Sequence, residues 1–481
     1  REIVKRDLGG EVDLVIDDGS HLAGPTRAAF EVLFPLLPPG GLYIIEDWAW
    51  EHWPEFQDPG HIWAGEESLN ALVCDLVAAT GSSKTLIRNL AVYEGFAVVE
   101  RGDVPEESRD FRLANHIRRR SWRSVSNAAP AGAGEDVKVF AFYLPQYHPI
   151  RENDRWWGKG FTEWTRVSRA RPQFAGHYQP HLPERLGFYD LRLPEIRFRQ
   201  AELAQAYGIH GFCYYYYWFG TKTLLERPLI EMLASPEPNL PFCLCWANEN
   251  WTRRWDGGEQ ELLIEQRYGP ELDAALIDDL MPFFRDPRYL RVGGAPVLLV
   301  YRPGAIPEPL AAVARWRRAA REQGLPDLHL VAALTFGLAD PRPLGFDAAV
   351  EFPPHGVSLA DNSKTIEGVE SEFNGAIIDF RTAAQQRLAV PPAPYRLYRT
   401  AMAGWDNTPR RGRCATIFHN ASPQAYGEWL RTLVAAARLG HPDHRLVFVN
   451  AWNEWAEGAH LEPDLRFGTG YLEATRRALA P

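Results

Sequence analysis

His444-Arg-Leu-Val-Phe-Val-Asn-Ala-Trp-Asn-Glu-Trp-Ala-Glu-Gly458 opens as a short apolar run and ends in carboxylates, amides and indoles. The apolar half, 445–449, reads as a strand buried on both faces, because it is continuous rather than alternating. The same kind of run recurs upstream at 137–144, 211–218, 241–246, 295–301, 328–333, 347–352 and 396–402. Amphipathic, helix-like stretches separate many of these runs, at 193–207, 271–284, 310–323 and 423–438, and a last one spans 471–480. Eight buried strands with intervening helices predict an α/β fold, a (β/α)8 TIM-like barrel over 137–481. In such a barrel the chemistry sits at the C-terminal ends of the strands.

The polar and aromatic residues fall at those ends. Glu454 and Glu457 lie three apart just past the last strand, beside Trp452, Asn453 and Trp455. Paired carboxylates are what acid/base cleavage or transfer at a glycosidic bond requires, and indole faces pack on sugar rings. Other strand ends contribute Tyr147 and His148, Tyr217 and Trp218, Trp246, Asn248, Glu249 and Trp251, Arg302, His355 and Trp405. Trp164, in the glycine-containing loop 156–164, and His460 complete the candidate sugar-binding set. Trp255 offers another ring face, and Glu163 is placed with Trp164 to close over a substrate.

The histidines 148, 181, 355, 419 and 460 show no zinc-protease spacing, and there is no Cys-x-x-Cys pair, so the barrel is expected to need no metal or other cofactor. Neither a Gly-x-Ser-x-Gly elbow nor a phosphate-binding Walker loop is present. The 481 residues carry 52 basic and 62 acidic side chains, a net charge of −10 that argues against nucleic acid as a general partner. No run is long and apolar enough for a membrane span. Cys74, Cys213, Cys243, Cys245 and Cys414 are too few, and odd in number, for a disulfide framework. Cys243 and Cys245, at strand spacing, are expected in the core. A reducing, cytoplasmic compartment is the expectation, with no signal peptide visible. Residue 1 is Arg, and the chain reads as starting inside a domain. Oligomeric state is left open.

A Ser/Ala/Gly/Pro-rich stretch, 121–136, reads as a linker after a first domain of residues 1–120. That domain shows a strand ending in Asp17-Asp18-Gly-Ser-His21, a helix over 26–37, a Pro-Pro-Gly-Gly turn and a strand over 42–47. This is a crossover unit of an open parallel sheet, a partial Rossmann-like domain. Its acidic strand ends suit a Mg²⁺ ion.

Four motifs carry a resemblance. Phe142-Tyr-Leu-Pro-Gln-Tyr-His148, Trp157-Gly-Lys-Gly-Phe-Thr-Glu-Trp164, Trp246-Ala-Asn-Glu-Asn-Trp251 and Trp452-Asn-Glu-Trp-Ala-Glu-Gly458 make residues 137–481 resemble the WbsX-type proteins of polysaccharide biosynthesis, which are similar to glycoside hydrolase family 99. The resemblance implies retaining chemistry on an α-linked oligo- or polysaccharide in surface polysaccharide (O-antigen or capsule) metabolism. It makes Glu454 the base that takes the sugar 2-hydroxyl proton and Glu457 the acid on the leaving oxygen. Ala456 stands where the hydrolases commonly carry His. Hydrolysis, glycosyl transfer and non-catalytic glycan binding all remain open on this barrel.

The first domain resembles the C-terminal half of a class I S-adenosylmethionine-dependent methyltransferase. That likeness implies Asp18, Glu46 and Asp47 on Mg²⁺ with His21 as base. The half that would carry the glycine-rich cofactor turn is not in the sequence, so methyl transfer by this chain is not expected.

Overall fold

The computed structural model describes residues 12–50, 53, 68–82, 85–103, 111–116, 136–220, 222–253 and 258–480. Two compact units divide the chain, Arg1–Ser126 and Asn127–Pro481. Residues 121–135 of the expected linker, and Trp255, lie outside the described residues.

The second unit is a closed barrel of eight parallel strands. They are β1 (Lys138–Tyr143), β2 (Gly211–Trp218), β3 (Phe242–Trp246), β4 (Ala295–Val300), β5 (His329–Ala333), β6 (Ala348–Val350), β7 (Arg396–Met402) and β8 (Leu446–Asn450). Each pairs in parallel with the next, and β8 closes on β1 with Leu446 opposite Lys138. All eight match runs read from the sequence. They are legible because both faces of a barrel strand are covered: every residue of β3, β5 and β8 is buried. Cys213, Cys243 and Cys245 are fully buried thiols in this wall.

The interior is filled rather than hollow. Phe142 packs on Phe352, Phe448 and Tyr215 at centroid distances of 4.8, 5.6 and 5.9 Å, making a floor of aromatic rings. Ten helices of the unit can be numbered: α1 (Arg151–Trp157), α2 (Glu163–Val167), α3 (Pro194–Ala206), α4 (Arg227–Leu233), α5 (Pro270–Arg285), α6 (Pro309–Glu322), α7 (Phe380–Leu388), α8 (Thr408–Arg411), α9 (Pro423–Arg438) and α10 (Gly470–Leu479). Their starts follow local chemistry. Ser422 accepts from the Ala425 amide at 3.3 Å and Asp379 from that of Thr382 at 2.8 Å, each capping the helix it precedes. Proline occupies the first turn of α3, α5, α6 and α9, where its missing N–H is not needed.

The described chain departs from a regular barrel in several places, two of them between β5 and β8. Between β5 and β6 the described chain has only a 3₁₀ turn, Arg342–Leu344. A small parallel pair, Ala376–Asp379 with Thr416–His419, stands outside the barrel wall.

At the start of β2, an added Cβ on Gly211 would lie 2.2 Å from the Pro241 carbonyl oxygen and 2.6 Å from the Phe140 ring. Neither neighbour can yield, since one is backbone and the other is wedged in the wall. Gly211→Ala is expected to destabilise the barrel by about 2–4 kcal/mol, read as a shift in the denaturation midpoint.

The first unit holds a mixed four-stranded sheet. Strand Leu14–Asp17 pairs in parallel with Leu42–Glu46, which pairs antiparallel with Phe96–Arg101, and that in turn with Ile87–Val92. Helices Ala23–Leu33 and Asn70–Ser82 accompany it. The described sheet is mixed rather than the open parallel sheet the sequence predicts, and Leu14–Asp17 is its outermost described strand, with Leu14 48% and Ile16 55% exposed.

Candidate active site

Beyond β8 the chain turns into a small hairpin in which Asn453 faces His460 and Glu454 faces Ala459. A 3₁₀ turn, Trp455–Glu457, forms its tip. Gly458 closes it at φ +61°, where a Cβ would lie 2.9 Å from that of Asp406. Glycine is thus required twice, by the backbone angle and by the approach of the β7–α8 loop. That loop is tied on by the Asp406 amide, which donates to the Glu457 carbonyl at 2.6 Å.

Buried hydrogen bonds hold the hairpin rigid. Asn453 accepts from the Leu144 amide (2.7 Å) and donates to the Leu144 carbonyl (3.0 Å), locking the ends of β1 and β8 together. The Tyr147 hydroxyl donates to the Asn453 carbonyl at 2.5 Å and receives the Trp455 amide at 3.3 Å. The Trp455 indole donates to Glu462 at 2.7 Å, and the His460 ring lies flat on that indole at 3.8 Å. Glu462 also accepts from Gln200 (2.6 Å) and Tyr189 (2.9 Å), while burial pushes its carboxyl up to about 7.

Arg410, on α8, holds the pair. Its Nη1 donates to Glu457 at 2.6 Å and its Nη2 to Glu454 at 3.1 Å. The same Nη2 lies 3.3 Å from Glu163 of α2. All four side chains are largely buried. One guanidinium thus serves three carboxylates, and the cluster cannot carry all three negative charges without a large desolvation cost. Burial and the Glu457 charge push the Glu454 carboxyl up to about 8, against the pull of Arg410. Burial raises Glu457 as well, with Arg410 pulling it back. Near neutral pH the two carboxyls therefore hold a proton between them. The resemblance implies that Glu457 carries it and Glu454 is ionised when the site works.

Asp406 fixes α8. It accepts from the Thr408 amide (2.9 Å) and hydroxyl (2.5 Å), from Gln179 (2.7 Å), and pairs with His177 at 2.6 Å. These bonds keep its carboxyl below the usual range although it is buried.

The candidate sugar-binding residues divide by burial. Tyr147, His148, Trp164, Trp218, Trp246, Asn248, Asn453, Trp455 and His460 are buried. As placed, they build the site's walls rather than offering faces to a sugar. Trp246 donates its indole N–H to the Trp218 carbonyl at 3.0 Å and Trp164 its own to that of Tyr189 at 2.8 Å. Asn248 joins strand ends by accepting from the Arg302 amide (2.7 Å) and donating to its carbonyl (2.9 Å). Burial pushes His148 down to about 4. A tryptophan at a strand end is thus as often a wedge as a platform, and sequence cannot tell which side of the rim it takes.

Tyr217, Glu249, Trp251, Arg302, His355 and Trp405 stay half-exposed. Tyr217 meets Trp251 edge to face at 5.2 Å and feels the charges of Glu454, Arg410, Glu163 and Glu457. Arg302 pairs with Glu249 at 3.3 Å and lies 4.1 Å over the ring of Phe336, which is 49% exposed. His355 packs on Phe336 at 5.0 Å. Arg410 and Phe336 are not singled out by the sequence, and Glu163 is singled out only with Trp164 as part of a covering loop. Arg410 sits in Thr408-Pro-Arg-Arg-Gly-Arg413, whose arginines look alike locally. Phe336 carries no local signal.

In the first unit, Asp18, His21 and Asp47 bring ligand atoms within 4.8 Å of one another. Glu46 is not among them, and His21 stands in its place, 3.5 Å from Asp18. Strand alternation explains this, because consecutive residues Glu46 and Asp47 leave a strand end in different directions.

Comparison with known proteins places these features. The family model described as Glycosyltransferase WbsX matches residues 139–475. A protein of Xanthomonas campestris pv. campestris, described as uncharacterized protein WxcX, is 51% identical over 342 residues, covering 71% of this chain and 49% of that one. The chain therefore spans about half the length of the curated relatives it matches. The GH99 endo-alpha-mannosidase of Bacteroides thetaiotaomicron superposes with a TM-score of 0.44 at 15% identity, over 71% of this chain and 96% of that one. A 55-residue stretch (11% of this chain, 15% of the relative) is 53% identical to the 8-demethyl-8-alpha-L-rhamnosyl tetracenomycin-C 2'-O-methyltransferase of Streptomyces olivaceus.

Proposed function

The chain belongs to the WbsX glycosyltransferase family, and from that premise we propose that its barrel opens an α-linked glycosidic bond with retention, using Glu454 and Glu457 as one proton-sharing pair. One observation carries this reading: two buried carboxylates, three residues apart on a rigid hairpin, share a single guanidinium that cannot neutralise both together with Glu163. Such a cluster lowers stability, and its use is to keep one acid and one base side by side at neutral pH.

The sugar 2-hydroxyl gives its proton to Glu454 as O2 bonds to the anomeric carbon. The glycosidic C–O bond breaks, and the leaving oxygen takes the proton of Glu457. Water or an acceptor hydroxyl then opens the three-membered ring, passing its proton to Glu457, while Glu454 returns its proton to O2. This sequence starts with the shared proton on Glu457. Arg410, donating to both carboxyls, sets the balance between the two positions of that proton. Because the pair titrates as a unit, activity follows the singly protonated form and falls on the alkaline side near the upper value of about 8. Tyr217, Trp251, Trp405 and Phe336 supply the ring faces for sugar, and Arg302 with Glu249 the polar contacts.

Transfer, rather than hydrolysis, has its own supporting observation. A cavity of about 490 Å³ beside α8 is lined by Trp157, Phe161, Arg166, Arg169, Arg171 and Arg413, with no acidic residue on its wall. On a chain of net charge −10, such a pocket suits the phosphate of an activated donor or an acidic glycan.

The test is product release from α-mannan and bacterial O-polysaccharide oligosaccharides, without nucleotide sugars, by wild type and Glu457→Gln. Cleavage lost in the variant by about 10²–10⁴-fold supports hydrolysis. Absence of cleavage, followed by transfer from a nucleotide- or lipid-diphosphate donor, supports the family's transferase description. Glycan binding unchanged by Glu457→Gln, with no turnover under either condition, leaves only a binding barrel and removes the proposal.

A further inference from the structure

We propose that His181, His460 and Asp464 form a structural metal site for a Zn²⁺-class ion that clips the loop before α3 to the hairpin carrying Glu454 and Glu457. One ligand atom from each of His181, His460 and Asp464 lies within 4.8 Å of the other two. His181 Nδ1 is 2.8 Å from His460 Nε2, which is 3.8 Å from Asp464 Oδ2. His460 and Asp464 are buried, and His181 is partly covered, leaving a route for an ion.

The outer contacts already orient these atoms as ligands. His460 Nδ1 lies 3.0 Å from the Glu462 carbonyl, which can only accept, so that nitrogen carries the proton. Its Nε2 is then a lone-pair donor, 2.8 Å from His181 Nδ1 and 3.8 Å from Asp464 Oδ2. Asp464 is held by its other oxygen, Oδ1, which accepts the amides of Arg466 (2.9 Å) and Phe467 (2.6 Å). A ligand histidine whose far N–H meets a carbonyl, and a ligand carboxylate with its second oxygen pinned, are the usual supports of a metal centre. Without an ion, His181 Nδ1–H can donate to His460 Nε2, which accounts for the short N···N contact but not for the carboxylate opposite. With one, the two nitrogens separate by a few tenths of an ångström to reach tetrahedral geometry.

Two nitrogens and one oxygen suit zinc better than magnesium or calcium. Three protein ligands leave the fourth position to water; Glu184, next in the chain to Pro183, has a buried Oε2 with no hydrogen bond but is not among the clustered ligand atoms. Backbone pairing between Pro183 and Asp464 already brings the two loops together. The spacing rules that argued against a metal count ligands close in sequence, whereas His181 and His460 are 279 residues apart. The ion would lie behind the catalytic hairpin, since the His460 ring lies flat on Trp455 between the two glutamates. Its role is positioning, and the metal test below does not depend on the proposed reaction.

The experiment uses the full chain, purified without a polyhistidine tag, loaded with Zn²⁺ alone, dialysed and assayed by elemental mass spectrometry, alongside His181→Gln and Asp464→Asn. About one zinc per wild-type chain, none in either variant, and a fall in wild-type melting temperature on chelation are expected. Loading with Co²⁺ is expected to give the visible absorption of a tetrahedral site. Folded wild type that retains no zinc after loading overturns the site. So does retention undiminished in folded variants. If one variant fails to fold, the other and the cobalt spectrum decide.

Discussion

Replacing Arg410 with alanine is expected to destabilise the barrel by about 3–5 kcal/mol at pH 7.5 and to lower turnover by about 10²–10³-fold. The guanidinium is the counter-charge shown for three buried carboxylates, Glu163, Glu454 and Glu457. Its removal leaves them to be neutralised by protonation or to drag water into the barrel mouth. Protonation is the cheaper route, so the loss should shrink as pH falls toward 5, where the free energy of protonating the carboxyls is small. Catalysis does not recover in parallel, because a fully protonated pair has no base. Lysine should rescue poorly: a single ammonium cannot reach Glu454 and Glu457 through separate N–H groups as the fork does. Urea midpoints of wild type, Arg410→Ala and Arg410→Lys at pH 5 and 7.5 check the prediction. A pH-independent deficit would mean that Arg410 acts through packing and that the three-carboxylate account is wrong.

This arginine also marks where the sequence stopped being readable. The eight strands stood out because burial on two faces removes polar residues altogether, and 211–218 or 446–450 have no other plausible environment. Glu454 and Glu457 stood out because one short segment holds both. Arg410 belongs to a run of three arginines within four residues, Arg410, Arg411 and Arg413, and only the fold decides which one turns inward. Arg411 and Arg413 are exposed, while Arg410 is buried against carboxylates 44, 47 and 247 positions away in sequence. The tryptophans pose the converse problem. Trp246 and Trp455 lie at strand ends, as a sugar platform would, yet each spends its N–H on a buried acceptor. Side-chain type and strand position are local facts, but the side of the rim is set by loops such as 177–186, whose partners lie far along the chain.

Glu454→Gln is expected to stabilise the protein at pH 8 while abolishing turnover, a combination that separates a working carboxyl from a structural one. A carboxyl held near 8 in the fold and near 4.5 when unfolded keeps its proton in the native state after the unfolded chain has released it. Between those values the native state binds more protons, so wild-type stability falls as pH rises, by about 1.4 kcal/mol per unit at most. Glutamine has the shape of the protonated side chain, still accepts from Arg410, and does not titrate. The variant should match wild type near pH 5 and exceed it by roughly 3 kcal/mol at pH 8. Activity should fall by about 10²–10⁴-fold, since no group remains to take the proton. If Glu454 were instead an ordinary ionised partner of Arg410, its loss would destabilise the barrel most at high pH, the reverse slope. Thermal unfolding of the two proteins from pH 5 to 8.5, beside single-time-point activity, distinguishes these cases. A residue whose neutralisation strengthens the fold is retained for what it does to a substrate, and Glu454 is predicted to be one.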